Sequence, residues 1–131
     1  MKEKFQLEYV LSSVSISVLW NSISTPMGLS EWFADKVAVD EGNKNEYTFF
    51  WGKSSQVATL VNNRVGSYVK FRWIDDCEDG VKPYFELRIS IVELTNDVIL
   101  TVTDFAEPED KEDAVKLWNN QVAELKTAIG L

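Results

Sequence analysis

Residues 108–131 read PEDKEDAVKLWNNQVAELKTAIGL, and the rest of the chain is best understood from them. Val115, Trp118, Val122, Leu125 and Ile129 recur at alternating spacings of three and four, which places them on one stripe of an α-helix, widened by Ala114, Leu117 and Ala128. The opposite side carries Glu112, Asp113, Asn119, Asn120 and Lys126. Pro108 suits a first helical position, since its missing N–H would have no partner there. Glu109, Asp110, Glu112 and Asp113 complement the positive end of the helix dipole, and Gly130 follows the last apolar residue. The spacing predicts one long amphipathic helix with both ends marked.

Such a helix needs something to bury its stripe against, and the residues before it read mostly as β-strand. Phe5, Leu7, Tyr9 and Leu11 alternate with Lys4, Gln6, Glu8 and Val10, as in a strand with one buried face. Val37 and Val39 lead to a turn at Asp40-Glu41-Gly42-Asn43, after which Tyr47, Phe49 and Trp51 alternate up to Gly52-Lys53. A strand is expected over Gln56 to Val61, a hairpin at Asn62-Asn63, and a further strand from Val65 to Ile74 with Val69, Phe71 and Trp73 on one face. The acidic run Asp75-Asp76-Cys77-Glu78-Asp79-Gly80 precedes Pro83. Phe85, Leu87, Ile89 and Ile91 then alternate with Glu86, Arg88 and Ser90, Asn96-Asp97 marks a last hairpin turn, and Val98, Leu100 and Val102 begin a strand that runs to Phe105.

One segment resists its own period. Val14, Ile16 and Val18 separated by Ser15 and Ser17 would continue the first strand, whereas Ile16, Leu19, Trp20 and Ile23 fit a helix capped by Ser12 or Ser13. That helix would end at Ser24-Thr25-Pro26, because proline disfavours the α conformation in the residue before it. Local periodicity leaves both possibilities open. A second short helical piece is expected over Leu29 to Ala34, carrying Trp32 and Phe33.

The 131 residues correspond to a single domain, residues 1–131, large enough to bury a core without metal or disulfide. With 21 acidic against 13 basic residues, a net charge of −8 and no basic patch, nucleic acid and anionic membrane are unfavourable partners. Residues Met1 to Gln6 lack the apolar run of a signal peptide, and no stretch is long enough to cross a bilayer, so a soluble cytoplasmic protein is expected.

The order strand, helix, six strands, long helix resembles the START-like superfamily, the helix-grip fold of lipid-transfer domains and polyketide cyclases. Within it, Trp20, Thr25-Pro26 and Trp32-Phe33 resemble the branch of activators of the ninety-kilodalton heat-shock chaperone ATPase. Phe50-Trp51-Gly52-Lys53 and the acidic run after Ile74 depart from that branch, which usually has a glycine-rich basic stretch. The resemblance implies an α+β fold of seven antiparallel strands curved around the C-terminal helix, with an apolar cavity between sheet and helix. Trp32, Phe49, Trp51, Phe71, Trp73, Phe85 and Trp118 are the candidate wall residues, with Trp32 near the mouth; as bulky apolar side chains they would equally serve to fill a core.

Chemistry is scarce along the chain. It has no His and a lone Cys77, which removes the commonest general base and metal ligand, every Ser-His or Cys-His pair, and any zinc site. No phosphate-binding glycine loop or other cofactor motif occurs, and the acidic run lacks the ligand spacing of a calcium loop. Asp104, after an apolar strand, and Arg88, within one, would orient a polar group or act as acid or base if they faced the cavity; the alternation around Arg88 favours an exposed face. The residues therefore point first to a non-catalytic module for a hydrophobic small molecule or lipid, second to a protein-interaction module, and third to a cyclase-like enzyme.

Overall fold

A computed structural model of the chain describes residues 2–12, 14–75 and 83–131. Among them β1 (Glu3–Val10), β2 (Lys36–Val39), β3 (Glu46–Trp51), β4 (Ser54–Arg64), β5 (Tyr68–Trp73), β6 (Phe85–Val92) and β7 (Asp97–Ala106) form one antiparallel sheet in the order β1-β7-β6-β5-β4-β3-β2. The two helices α1 (Ile16–Ser24) and α2 (Pro26–Leu29) connect β1 to β2, so the first strand and the second occupy opposite edges of the sheet. A 3-10 turn (Pro108–Asp110) leads into α3 (Lys111–Ala128). This is the curved sheet and C-terminal helix of the helix-grip arrangement.

The alternation of each strand sets one face toward α3. Phe5, Tyr47, Phe49, Val69, Phe71, Phe85, Leu87, Leu100 and Val102 are buried there, and registers such as Leu87↔Val102 and Phe71↔Phe85 place them side by side. Trp118, Val122 and Leu125 of α3 close the core from the other side, each stabilising the fold by roughly 1.5–3 kcal/mol through apolar area removed from water. The expected stripe is narrower than its sequence suggested: Leu117 is 58% exposed and Ala128 is also exposed, because both lie beyond the line of contact with the sheet.

The ambiguous segment is helical from Ile16, with Ser15 at its N-cap and Leu19 and Ile23 completely buried. Ser12 instead takes a left-handed turn conformation (φ 47°), and Ser13 lies outside the described residues. Ser22 is buried, and its hydroxyl donates to the Val18 carbonyl one turn back, 3.2 Å away. The second helical piece lies earlier than Leu29 to Ala34. Pro26 ends α1 but also opens α2, whose N-cap Thr25 accepts from Gly28 N at 2.9 Å. Gly28 lets α2 settle directly on α1, since a Cβ there would collide with the Asn21 carbonyl oxygen and lie 2.7 Å from Ser22 Cα.

Two turns also differ from expectation. β4 runs straight through Asn62 and Asn63, which pair with Lys70 and Val69 after an irregularity between Leu60 and Asn62. The chain reverses after Arg64 instead, at Gly66 (φ 79°), a conformation that asparagine-asparagine did not need to supply. Asp97 already pairs with Val92, so Asn96 (φ 58°) ends the last turn and Asp97 starts β7. Cys77 and the acidic residues 76, 78 and 79 lie outside the described residues.

Candidate functional site

The site is built from the segment that follows α2. After Leu29 the chain turns tightly through residues 30–33, with Phe33 N and Ala34 N both bonded to Leu29 O. Trp32 is thereby turned back onto α1, where its Nε1–H donates to Ser22 O at 2.8 Å. Phe33 points inward between sheet and helix. Its ring stacks on Phe85 (centroids 5.3 Å apart) and on Trp118 (5.7 Å), and meets Phe49 edge to face at 5.3 Å.

Phe33 divides the space between sheet and helix. Behind it the aromatic side chains of Tyr47, Phe49, Phe71 and Phe85 pack as a connected group, with neighbouring ring centroids 5.1–6.5 Å apart, and fill the interior. In front of it a cleft of about 870 Å³ opens at the end of the sheet where β3 meets β4 and β7 leads to α3. Its walls are Trp51 and Trp73 from the sheet, Trp32, Phe33 and Ala34 from the turn, and Leu117, Trp118 and Gln121 from α3, with Phe85 at the back. Ser30, Glu31, Asp35, Gln56, Asp104 and Glu124 complete the lining.

Of the seven wall residues expected from sequence, Trp32, Trp51, Trp73, Phe85 and Trp118 line this cleft. Phe49 and Phe71 do not, because both are completely buried on the far side of Phe33 and Phe85. Trp32 lines the cleft from a fixed position; it is 5% exposed and bonded to α1. Phe33, Leu117, Gln121, Glu31 and Glu124 were not among the expected residues. Leu117, Gln121 and Glu124 stand four and three apart on α3, so a second, mixed stripe beside the apolar one was the available signal.

Hydrogen bonds hold the walls at fixed places. The Phe33 carbonyl accepts from Trp51 Nε1 (2.9 Å) and from Gln121 Nε2 (3.2 Å), joining the turn to β3 and to α3. Asp104 continues the inward row of Val98, Leu100 and Val102, and its carboxylate accepts from Trp118 Nε1 and from Phe105 N, each at 2.8 Å. Asp35 accepts from Gly52 N at 2.7 Å and its own N–H donates to Phe50 O at 2.9 Å, which fastens the turn to the β3–β4 hairpin. Tyr9 Oη, on β1, donates to Asn119 Oδ1 at 2.7 Å and anchors the other flank of α3; partial burial raises the pKa of this phenol. Arg88 lies on the outer face, paired with Glu86 at 3.1 Å and placed 4.3 Å over the Tyr68 ring, and the Glu86 hydrogen bond raises its pKa further. It takes no part in the cleft.

The sequence matches the family model described as a START-like superfamily domain over residues 1–131. The chain belongs to the START-like superfamily. A similar solved structure is the solution structure of BfR322 from Bacteroides fragilis, 40% identical, covering 96% of this chain and 90% of that one with a TM-score of 0.62. The Aha1 dimer from Colwellia psychrerythraea is 13% identical, with 97% and 96% covered and a TM-score of 0.75. CalU16 from Micromonospora echinospora is also 13% identical, with 98% and 75% covered and a TM-score of 0.69. At such identities the last two establish a shared START-like fold and nothing narrower. Comparison with curated proteins returned no match. Among the described residues of this START-like chain, no helix is long and apolar enough to cross a membrane.

Proposed function

We propose that this START-like domain is a non-catalytic binding module that holds a hydrophobic small molecule or lipid tail in the cleft in front of Phe33. The observation that carries the reading is the cleft itself: about 870 Å³, bounded by Trp32, Trp51, Trp73 and Trp118 with Phe85 behind them. Small-molecule sites fall in the range of about 300–1,000 Å³ and combine apolar walls with a few placed polar groups. The ligand is held at the mouth of the grip rather than deep inside it, since the inner half is occupied by the domain's own aromatic side chains.

The experiment is a titration of the purified protein with Nile red, a neutral apolar dye, alongside native mass spectrometry of protein taken directly from cells. Saturable binding of one dye per chain, weakened by Trp73→Ala in a variant that keeps its unfolding transition, is the expected result. Absence of saturable binding together with an empty native mass spectrum overturns the reading. The protein-interaction reading would then take its place, supported by the fold shared with Aha1 and by the Trp20, Thr25-Pro26 and Trp32-Phe33 segment. A cyclase-like reaction ranks third, because the chain has no His and the carboxylate of Asp104, the acid-base candidate on the inward face of β7, already accepts two hydrogen bonds.

A further inference from the structure

The charge and hydrogen-bonding inventory of the cleft narrows the ligand class. Glu31 and Asp35 approach from the turn, Glu124 from α3 and Asp104 from β7, so carboxylates surround the opening from three elements, and among the described residues the lining contains no Lys or Arg. Donors are equally scarce. The indole N–H groups of Trp32, Trp51 and Trp118 are bonded to Ser22 O, Phe33 O and Asp104 Oδ2. In the turn, the backbone N–H groups of Glu31, Phe33, Ala34 and Asp35 are committed to carbonyl oxygens. Gln121 spends an amide hydrogen on Phe33 O and keeps its own oxygen as an acceptor. Lys2 lines an adjoining cleft of about 330 Å³ together with Asp75 and Asp104.

What remains for a ligand is π-faces, apolar edges, acceptor oxygens and the few amide hydrogens of Gln56 and Gln121. An anionic head group would have to leave water without a cation and with few N–H donors to replace its hydration, which is costly. An ammonium group meets the opposite situation, because carboxylates attract it and indole faces attract it through the ring quadrupole. The Trp118 ring is further enriched, since its N–H donates to a carboxylate and is polarised by it. From this inventory we infer that the cleft selects amphiphilic cations: hydrophobic amines or quaternary ammonium compounds whose apolar part lies against Trp51, Trp73 and Phe33 while the charged end lies among Glu31, Asp35 and Glu124. This assignment rests on the binding reading proposed above.

The test compares three amphiphiles with one tail and three heads: dodecyltrimethylammonium, dodecyl maltoside and dodecyl sulfate, each below its micellar concentration and followed by tryptophan fluorescence. The ammonium compound binds roughly tenfold more tightly than the maltoside, and the sulfate binds weakest, if carboxylates and indoles set the preference. Because the whole chain carries a net charge of −8, a diffuse attraction must be separated from a local one. Glu31→Gln/Glu124→Gln and the remote pair Glu41→Gln/Glu93→Gln change the net charge equally. The first pair should remove most of the ammonium preference and the second should alter it by no more than about twofold, since exposed charges beyond a Debye length are screened. Equal binding of ammonium and maltoside, or equal effects of the two double variants, overturns the cation assignment while leaving the binding reading intact. Failure of all three amphiphiles to bind overturns both.

Discussion

The two halves of the space under α3 are made from the same kinds of residue and differ in outcome. On β3, Phe49 is completely buried and Trp51, two positions on, is half-buried; on β5, Phe71 and Trp73 stand in the same relation. Each pair shares a strand face, so residue type and orientation do not separate them. The difference is what stands opposite: Phe33 packs onto Phe49 and, through Phe85, closes the Phe71 side, whereas Trp51 meets Phe33 edge to face at 5.8 Å and, like Trp73, still borders the open cleft. An aromatic-rich strand therefore becomes core or cleft wall according to the reach of a single turn residue supplied from elsewhere in the chain.

That contrast can be broken most severely at its filled end. Phe49→Ala should destabilise the domain by roughly 3–5 kcal/mol, as loss of a fully packed aromatic does, while Trp73→Ala should cost about 1–2 kcal/mol because part of its surface is already in water. Denaturant midpoints that fall together for the two variants would mean that the halves are equally packed. Next in size is the support of the divider itself. Gly28→Ala forces α2 away from the Asn21 carbonyl and should cost about 1–3 kcal/mol, in line with overpacked sites. Dye affinity should fall with it, since Trp32 and Phe33 are carried on the turn that α2 begins; retained affinity in a destabilised variant would detach the cleft from α2.

Smaller effects sharpen the same picture. Thr25→Ala removes the α2 N-cap and should lower stability by about 1 kcal/mol, read from the thermal midpoint. The smallest effect concerns pH. Burial raises the pKa of Tyr47, in the filled half, above its ordinary 10.0. The unfolded chain then loses this proton first, so the folded state is undiminished below about pH 10 and loses stability as the pH climbs from there toward the higher folded value. Tyr47→Phe should flatten part of that alkaline decline in a series of unfolding curves taken from pH 9 upward; an unchanged slope would assign it to other groups, such as Tyr9, whose pKa is also raised by burial.

Much of the fold was legible because its signals are local. The helical stripe of α3 and the period of two in β1, β3, β5 and β6 are each contained in one element, and their order pointed to the helix-grip arrangement. The errors arose where one residue serves two neighbours or where distant parts meet. Pro26 both ends α1 and begins α2, so the stop was visible and the start was not. Asn62 and Asn63 have turn chemistry but lie in a strand, while Gly66 makes the turn. Ser22 is polar by composition yet buried, because its hydroxyl bonds within its own helix. The site was legible as a set of aromatics and not as a division among them, since the position of Phe33 against Phe85 and Trp118 depends on three parts of the chain that sequence spacing does not relate.

The single carbonyl oxygen of Phe33, shared between Trp51 and Gln121, also bears on kinetics. A turn clasped to both a strand and a helix cannot swing as a flap without releasing two hydrogen bonds in a partly buried place. Exchange at the cleft is therefore expected to proceed through its standing opening rather than through a gating motion. Arrival would then be limited by encounter, and residence time would report how strongly the occupant is held instead of how often a door opens.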